Sequence, residues 1–189
     1  MAPMTKTSLV PIADGSEELE AVSIIDVLRR AGVRVTVASV DAIAVTASRG
    51  TRLIADAPIS ACTDQTYDLI ACPGGMPGSE HLRDSPELAG LLHAQQASGR
   101  LIAAICAAPV VVLQHHGLIA GRRATCHPSV ADQLLNPEAL DQRVVVDGNL
   151  ITSRGPGTAI EFSIELVAQL LGQAKAREVA QAMLAHAMP

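Results

Sequence analysis

Aromatic side chains are nearly missing from this sequence: 189 residues carry one Tyr, one Phe and no Trp. Proteins that read single-stranded nucleic acid stack bases on aromatic rings, and this chain has almost none to offer. An excess of positive charge is missing too. Fourteen Lys and Arg stand against nineteen Asp and Glu, a net charge of −5 that argues against a polyanionic partner. No nucleic-acid-binding motif is found. The four cysteines, Cys62, Cys72, Cys106 and Cys126, lie far apart and form no C-x-x-C pair. An apolar core large enough for this length removes the need for structural disulfides. Long apolar runs are also lacking. The longest, 101–113, is broken by Pro109 and falls short of the ~20 residues a membrane span requires. The first seven residues hold one lysine and do not read as a signal peptide. A soluble, cytoplasmic protein with no membrane association is expected.

What is present is aliphatic. Apolar residues make up 49% and charged residues 17%, which excludes a disordered chain and sets a core of Ala, Val, Ile and Leu. Short apolar runs read as strands at 8–12, 33–40, 42–47, 52–55, 69–72, 101–105, 123–126, 144–146 and 150–152. Helical patterns fall at 17–31, 86–97, 107–116, 158–171 and 174–187. Strands alternating with helices imply a mostly parallel sheet covered on both faces. No linker, low-complexity tract or repeat interrupts it, so one α/β domain over residues 1–189 is expected. In such sheets ligands bind at the carboxyl ends of the strands. Three places there carry chemistry: 14–20, Gly74-Gly75, and Cys106.

Cys106 directly follows the strand Leu101-Ile-Ala-Ala-Ile105, and Ala107-Ala-Pro109 opens a helix. A thiol at that turn faces free helix N–H groups and the positive end of the dipole, which predicts a pKa below the free value. That is the placement of a nucleophile elbow. Position alone fits a buried structural cysteine equally well. The glycines at 74 and 75 let backbone amides turn toward a ligand, although an ordinary turn would also use them. Amides of Gly75 and Ala107 can form an oxyanion hole. Glu17, Glu18 and Glu20 open the first long helix, where acidic residues suit the dipole. Glu20 is in phase with Ile24, Val27, Leu28 and Ala31, on the apolar face, but Glu17 shares much of that phase. A carboxyl facing the sheet end is desolvated, its pKa raised, and fit to move protons. His127, after the 123–126 segment, is the imidazole best placed to serve Cys106. His115 and His116 read as helix-end residues, and His81, His93 and His186 as surface positions. Cys106, Cys126 and His127 match no zinc spacing, so no metal is expected.

Seven segments together resemble the ThiJ/PfpI superfamily, in its small branch of YajL-like proteins and the Parkinson-associated protein deglycase. They are Asp14-Gly-Ser-Glu-Glu-Leu-Glu20, Arg29-Arg-Ala-Gly32, Ala47-Ser-Arg-Gly50, Pro73-Gly-Gly-Met-Pro-Gly78, Ala103-Ala-Ile-Cys-Ala-Ala-Pro109, His127-Pro128 and Thr152-Ser-Arg-Gly-Pro-Gly-Thr158. They run in family order and cover nearly the whole chain. The resemblance implies a flavodoxin-like three-layer sandwich, a homodimer, and no cofactor. It assigns Cys106 as the reactive cysteine, Glu20 as the protonated carboxyl beside it, and His127 as the nearby imidazole. Gly74, Gly75 and Ala107 would contact substrate. Arg30, Arg49 and Arg154 match basic residues around the site or the dimer interface. Ala107 stands where peptidase-like members carry His, which disfavours protease and amidotransferase chemistry. Leu53-Ile-Ala55 lacks the further cysteine of deglycase-like relatives, and Cys126 adds a thiol beside His127 that is a candidate to resolve an oxidised Cys106.

Two functions follow from the resemblance. One is a cofactor-free enzyme acting on a small dicarbonyl or on glycated adducts, with methylglyoxal giving lactate. The other is an oxidative-stress sensor or chaperone in which Cys106 oxidises to the sulfinic acid. Nothing in the residues supports a thiamine-precursor substrate.

Overall fold

Successive strand residues point to opposite faces of a sheet, so a strand that is apolar at every position must be covered on both sides. The central strands are of that kind. The computed structural model describes residues 5–185. Its strands are β1 (Thr7–Ile12), β2 (Arg34–Ser39), β3 (Ala44–Thr46), β4 (Arg52–Ile54), β5 (Ala57–Pro58), β6 (Leu69–Cys72), β7 (Leu101–Ile105), β8 (Val144–Asp147) and β9 (Leu150–Ser153). The α-helices are α1 (Glu18–Arg30), α2 (Gly78–Asp84), α3 (Pro86–Ala97), α4 (Ala159–Leu171) and α5 (Gln173–Ala182).

Seven strands form the main sheet in the order β5-β2-β1-β6-β7-β9-β8, and all neighbours are parallel except β8 with β9. Val10, Ile12, Leu69, Ala71, Ala103, Ile105 and Ile151 face one layer, packed under α1, α4 and α5 with the buried Phe162. Leu9, Ile70, Cys72, Ile102, Ala104 and Leu150 face the other, under α2, α3 and the segment after β7. This is the flavodoxin-like sandwich. Among the described residues no helix is long and apolar enough to cross a membrane.

The structure departs from the sequence reading in five places. Residues 123–126 make no strand. The Arg123 amide donates to Asp147 Oδ2 at 2.8 Å and the Thr125 amide to Thr152 Oγ1 at 3.0 Å, so side chains take the bonds a ladder would use. The helix expected at 107–116 is a wide-turned π-helix over Pro109–Gln114. β3 and β4 pair only with each other, as an antiparallel hairpin outside the main sheet. The helix α2 starts in a Pro- and Gly-rich stretch that reads as a turn. The last helix ends at Ala182; His186 and Ala187 lie outside the described residues.

Candidate active site

The chain runs from β1 outward to β2, then returns to place β6 on β1's other side. The crevice at that reversal is where open α/β sheets hold ligands. Three loops meet there: 13–17 after β1, 73–77 after β6, and 106–108 after β7. The first two are interlocked by glycines. A Cβ on Gly15 would lie 2.5 Å from Pro77 Cδ, and one on Gly75 or Gly78 would run into the backbone of Gly15, Ser16 and Glu17. The Glu17 amide donates to the Gly74 carbonyl at 2.9 Å.

Cys106 leaves β7 with φ of 66°, a left-handed conformation for a residue with a side chain. Such strain costs about 1–3 kcal/mol and persists only where the surroundings enforce it. They do so here: its amide donates to Ser153 O at 3.0 Å and its carbonyl accepts from the His127 amide at 2.8 Å. The turn aims Sγ at the Gly75 and Ala107 amides and at the Glu20 carboxyl. Glu20 comes from the first turn of α1 and is fully buried. Its Oε2 accepts from the Gly74 amide at 2.8 Å, while Oε1 has no hydrogen-bond partner. Gly74 seals the arrangement, since a Cβ there would stand 2.5 Å from Cys106 Cβ and 2.9 Å from Glu20 Oε2.

Burial pushes Glu20 up to about 7; the Glu17 carboxylate adds to this, and the Gly74 amide and Cys106 thiol pull back. The expectation of an acidified Cys106 is reversed. Burial and the Glu20 carboxylate push the thiol up to about 12, against the Gly75 and Ala107 amides. The dipole argument fails because burial outweighs it and the Glu20 carboxylate adds to burial, while the helix itself starts only at Pro109. The two groups titrate as a pair. Once the first proton leaves near pH 7, one proton remains between carboxyl and thiol, and the thiolate form is reached by handing it to Glu20.

His127 reaches the site through its backbone. Its Nδ1 accepts from the Ser129 amide at 3.2 Å and lies 2.8 Å from Ser129 Oγ, so Nε2 carries the proton, and the imidazole bonds to Ser129 rather than to Sγ. The ring lies along Gly155 and lines a cleft of about 250 Å³ with Arg143, Arg154 and Pro156. Arg154 therefore borders the site. Arg49 is exposed in the β3–β4 turn, where its backbone meets Glu18. Arg30 is not brought to the site in this chain. It pairs with Asp26 at 2.6 Å at the far end of α1, ten residues and about 15 Å from Glu20. Cys126 is buried in the layer opposite the one Cys106 packs against, and burial pushes it up to about 11 with Arg154 opposing. His81, read as a surface position, is half-buried and pairs with Asp41 at 3.0 Å; His93 is exposed as expected, and His115 caps the end of the Pro109–Gln114 helix.

Two contributors escaped the sequence reading. Ser48 Oγ donates to Glu17 Oε2 at 2.6 Å and reaches Glu18 Oε2 at 3.1 Å, laying the β3–β4 turn over the start of α1. Although burial works the other way, backbone amides of Glu18, Arg49 and Thr51 hold Glu18 down to about 2. It is a permanently charged clamp on that turn. Only the nearness of Ser48 to the Arg-Gly turn hinted at this. The assembled groups are a strained thiol, a proton-holding carboxyl with a free oxygen, and two amide donors. That set suits addition to a carbonyl carbon.

A model of the DJ-1/PfpI family matches residues 6–169. The Arabidopsis thaliana protein DJ-1 homolog A is 47% identical over 192 residues, covering all of this chain but 49% of that protein. This chain thus spans about half the length of that relative. A Caenorhabditis elegans protein named glutathione-independent glyoxalase is 40% identical over 169 residues, covering 88% of this chain and 89% of that one. Among solved structures, oxidized Toxoplasma gondii DJ-1 superposes with a TM-score of 0.94 at 48% identity, covering 97% of this chain and all of that one.

Proposed function

The chain belongs to the DJ-1/PfpI family, and from that membership we propose that it is a cofactor-independent enzyme that converts small dicarbonyls, methylglyoxal to lactate in the simplest case, through Cys106. The observation that carries this reading is the buried Glu20 carboxyl, held by Gly74 with one oxygen free beside the strained thiol. The name of the nematode relative supports it.

The thiolate forms when Sγ hands its proton to Glu20. Sγ then bonds to the aldehyde carbon, and the carbonyl electrons move to oxygen, which the Gly75 and Ala107 amides stabilise and Glu20 protonates. The Glu20 carboxylate next takes the hydrogen from that carbon; those electrons form a double bond to the ketone carbon, whose oxygen takes up a proton to give an enediol, and Glu20 returns its proton to that second carbon as the first carbon's hydroxyl gives up its own and becomes the thioester carbonyl. The result is a lactoyl thioester. Water adds to it, the C–S bond breaks, and lactate leaves with the thiol restored. One carbon is oxidised and its neighbour reduced, so the sum is methylglyoxal plus water with no outside oxidant.

The test is lactate formation from methylglyoxal by the pure protein. Activity is expected to rise with pH through about 7 as the Glu20–Cys106 pair loses its first proton. Cys106→Ala is expected to make no lactate, and full activity in that variant sinks the mechanism.

A second reading rests on exposure. Cys106 is the one cysteine of the four that is not buried, so mild peroxide should oxidise it first, with protonated Glu20 holding the product. The oxidized state of the Toxoplasma relative supports this. Mass spectrometry locating the first oxidation at Cys62 or Cys72 removes the redox reading.

We also propose a homodimer through α1 and the β3–β4 hairpin. Leu19 and Val22, one turn apart, are 50% and 45% exposed, and Ile54 is 78% exposed on the hairpin that Glu18 ties to that helix. Sedimentation is expected to give a dimer for the native chain and a shift toward monomer for Ile54→Lys; unchanged dimers in that variant exclude this face.

A further inference from the structure

A substantial cavity of this fold lies away from Cys106. A groove of about 410 Å³ runs between α3 and the 63–67 loop. Tyr67 precedes β6 and Arg100 precedes β7, so the groove opens at the amino ends of the strands, opposite the candidate active site. Its volume lies in the range of small-molecule sites.

Three observations say that it is built to hold something. First, its floor is organised. Gln95 is buried, spends both amide hydrogens on Tyr67 O and Leu101 O at 3.0 Å, and turns its oxygen to Arg100 Nε at 3.3 Å. Arg100 is thereby fixed at one end of the groove, and among the described residues it has no carboxylate partner. Second, charge is separated along α3: Glu87 lines the groove from the helix's first turn, at the other end from Arg100, and forms no ion pair among the described residues. Third, Gly90 sits mid-helix on the groove face, where helices disfavour glycine. A Cβ there would meet nothing within 4 Å. No packing inside the chain asks for a glycine at 90; its effect is to leave room above the helix. Leu91 and Ala94 make the α3 wall between the charged ends apolar, facing the polar wall of Thr63, Gln65 and Thr66.

We propose that this groove is a binding site for a short free peptide, its carboxylate on Arg100 and its amino group toward Glu87. Glu87 to Ala94 spans about 10 Å of helix, the length of about three extended residues. A single amino acid is too short to reach both ends. The small side chain at 90 and the apolar α3 wall suit small aliphatic residues.

The test is calorimetric titration of the full chain with Ala-Ala-Ala. Binding is expected near or below ~1 mM, and free alanine should bind at least about tenfold more weakly. Amidating the peptide's carboxyl, acetylating its amine, or changing Arg100→Gln should each weaken binding about tenfold. Gly90→Leu should abolish it without lowering the melting temperature, since the new side chain enters empty space. Lactate formation should be unaltered in Gly90→Leu, which separates this site from Cys106. Absence of binding up to ~10 mM, or equal binding by the amidated and acetylated peptides, overturns the proposal. Retention of binding in Gly90→Leu also overturns it.

Discussion

Replacing Gly74 with alanine is expected to silence Cys106 while leaving the thiol in the protein. The added methyl would stand 2.5 Å from Cys106 Cβ, 2.9 Å from Glu20 Oε2 and 2.9 Å from Ile105 O. Carbon atoms in contact keep about 3.5–4.0 Å apart, so either β7 or the 73–77 loop has to move by about 1 Å. Neither moves cheaply. β7 is hydrogen-bonded between β6 and β9, and the loop is locked against Gly15 and Ser16. Overpacking of this kind costs about 1–3 kcal/mol, and a displacement of about 1 Å at the reacting atoms lowers turnover about a hundredfold. Denaturant unfolding reads the first effect, and lactate formation and iodoacetamide labelling of Cys106 read the second. Native stability together with native turnover in Gly74→Ala would show that the packing at Gly74 is not what holds the pair.

The second large effect belongs to Glu20→Gln. In the folded chain the carboxyl keeps its proton to about pH 7, whereas in the unfolded chain it loses it near its ordinary value of 4.5. Between those values the unfolded state binds fewer protons, so native stability falls as pH rises from 4.5 to 7 and then levels off. The separation is worth about 3 kcal/mol for this fully buried side chain. Glutamine keeps the oxygen that accepts from Gly74 and does not titrate. The stability of Glu20→Gln relative to the native chain should therefore improve by about 3 kcal/mol from pH 4 to pH 8. The same variant removes the carboxylate that raises the thiol and offers Sγ a fixed N–H donor. Cys106 should then label with iodoacetamide about tenfold faster at pH 7, while lactate formation drops for want of a proton carrier. Parallel pH–stability curves for the two proteins would rule out a raised carboxyl pKa.

Much of this was readable before any coordinates. The apolar run 101–105 ending at Cys106, with Pro109 three residues on, places a thiol at a strand-to-helix turn by local pattern alone. The phase of Glu20 with Ile24, Val27 and Leu28 puts it on the apolar face, but Glu17 shares much of that phase, and only the fold separates the two. What the pattern could not settle was tertiary. The pKa of Cys106 depends first on its burial in the folded chain and then on a carboxylate 86 positions earlier, so reasoning from the local helix end gives the wrong sign. Arg123–Cys126 reads as a strand by its pattern, but its Arg123 and Thr125 amides are taken by the Asp147 and Thr152 side chains. Arg30 follows the family motif and yet points away at the far end of α1, because helix length, not motif, fixes its distance from Glu20. The β3–β4 hairpin has strand composition and no sheet to join, since its turn is tied to Glu17 and Glu18 instead.

The glycine interlock between the 13–17 and 73–77 loops bears on how such a site can diversify. Each loop occupies the space a side chain on the other would need, so neither tolerates substitution or insertion without a matching change in its partner. The opposite wall, from His127 to Thr158, carries side chains around an open cleft and is under no such mutual constraint. New specificities on this scaffold would therefore arise by drift along that wall, while the thiol and its carboxyl stay frozen in place.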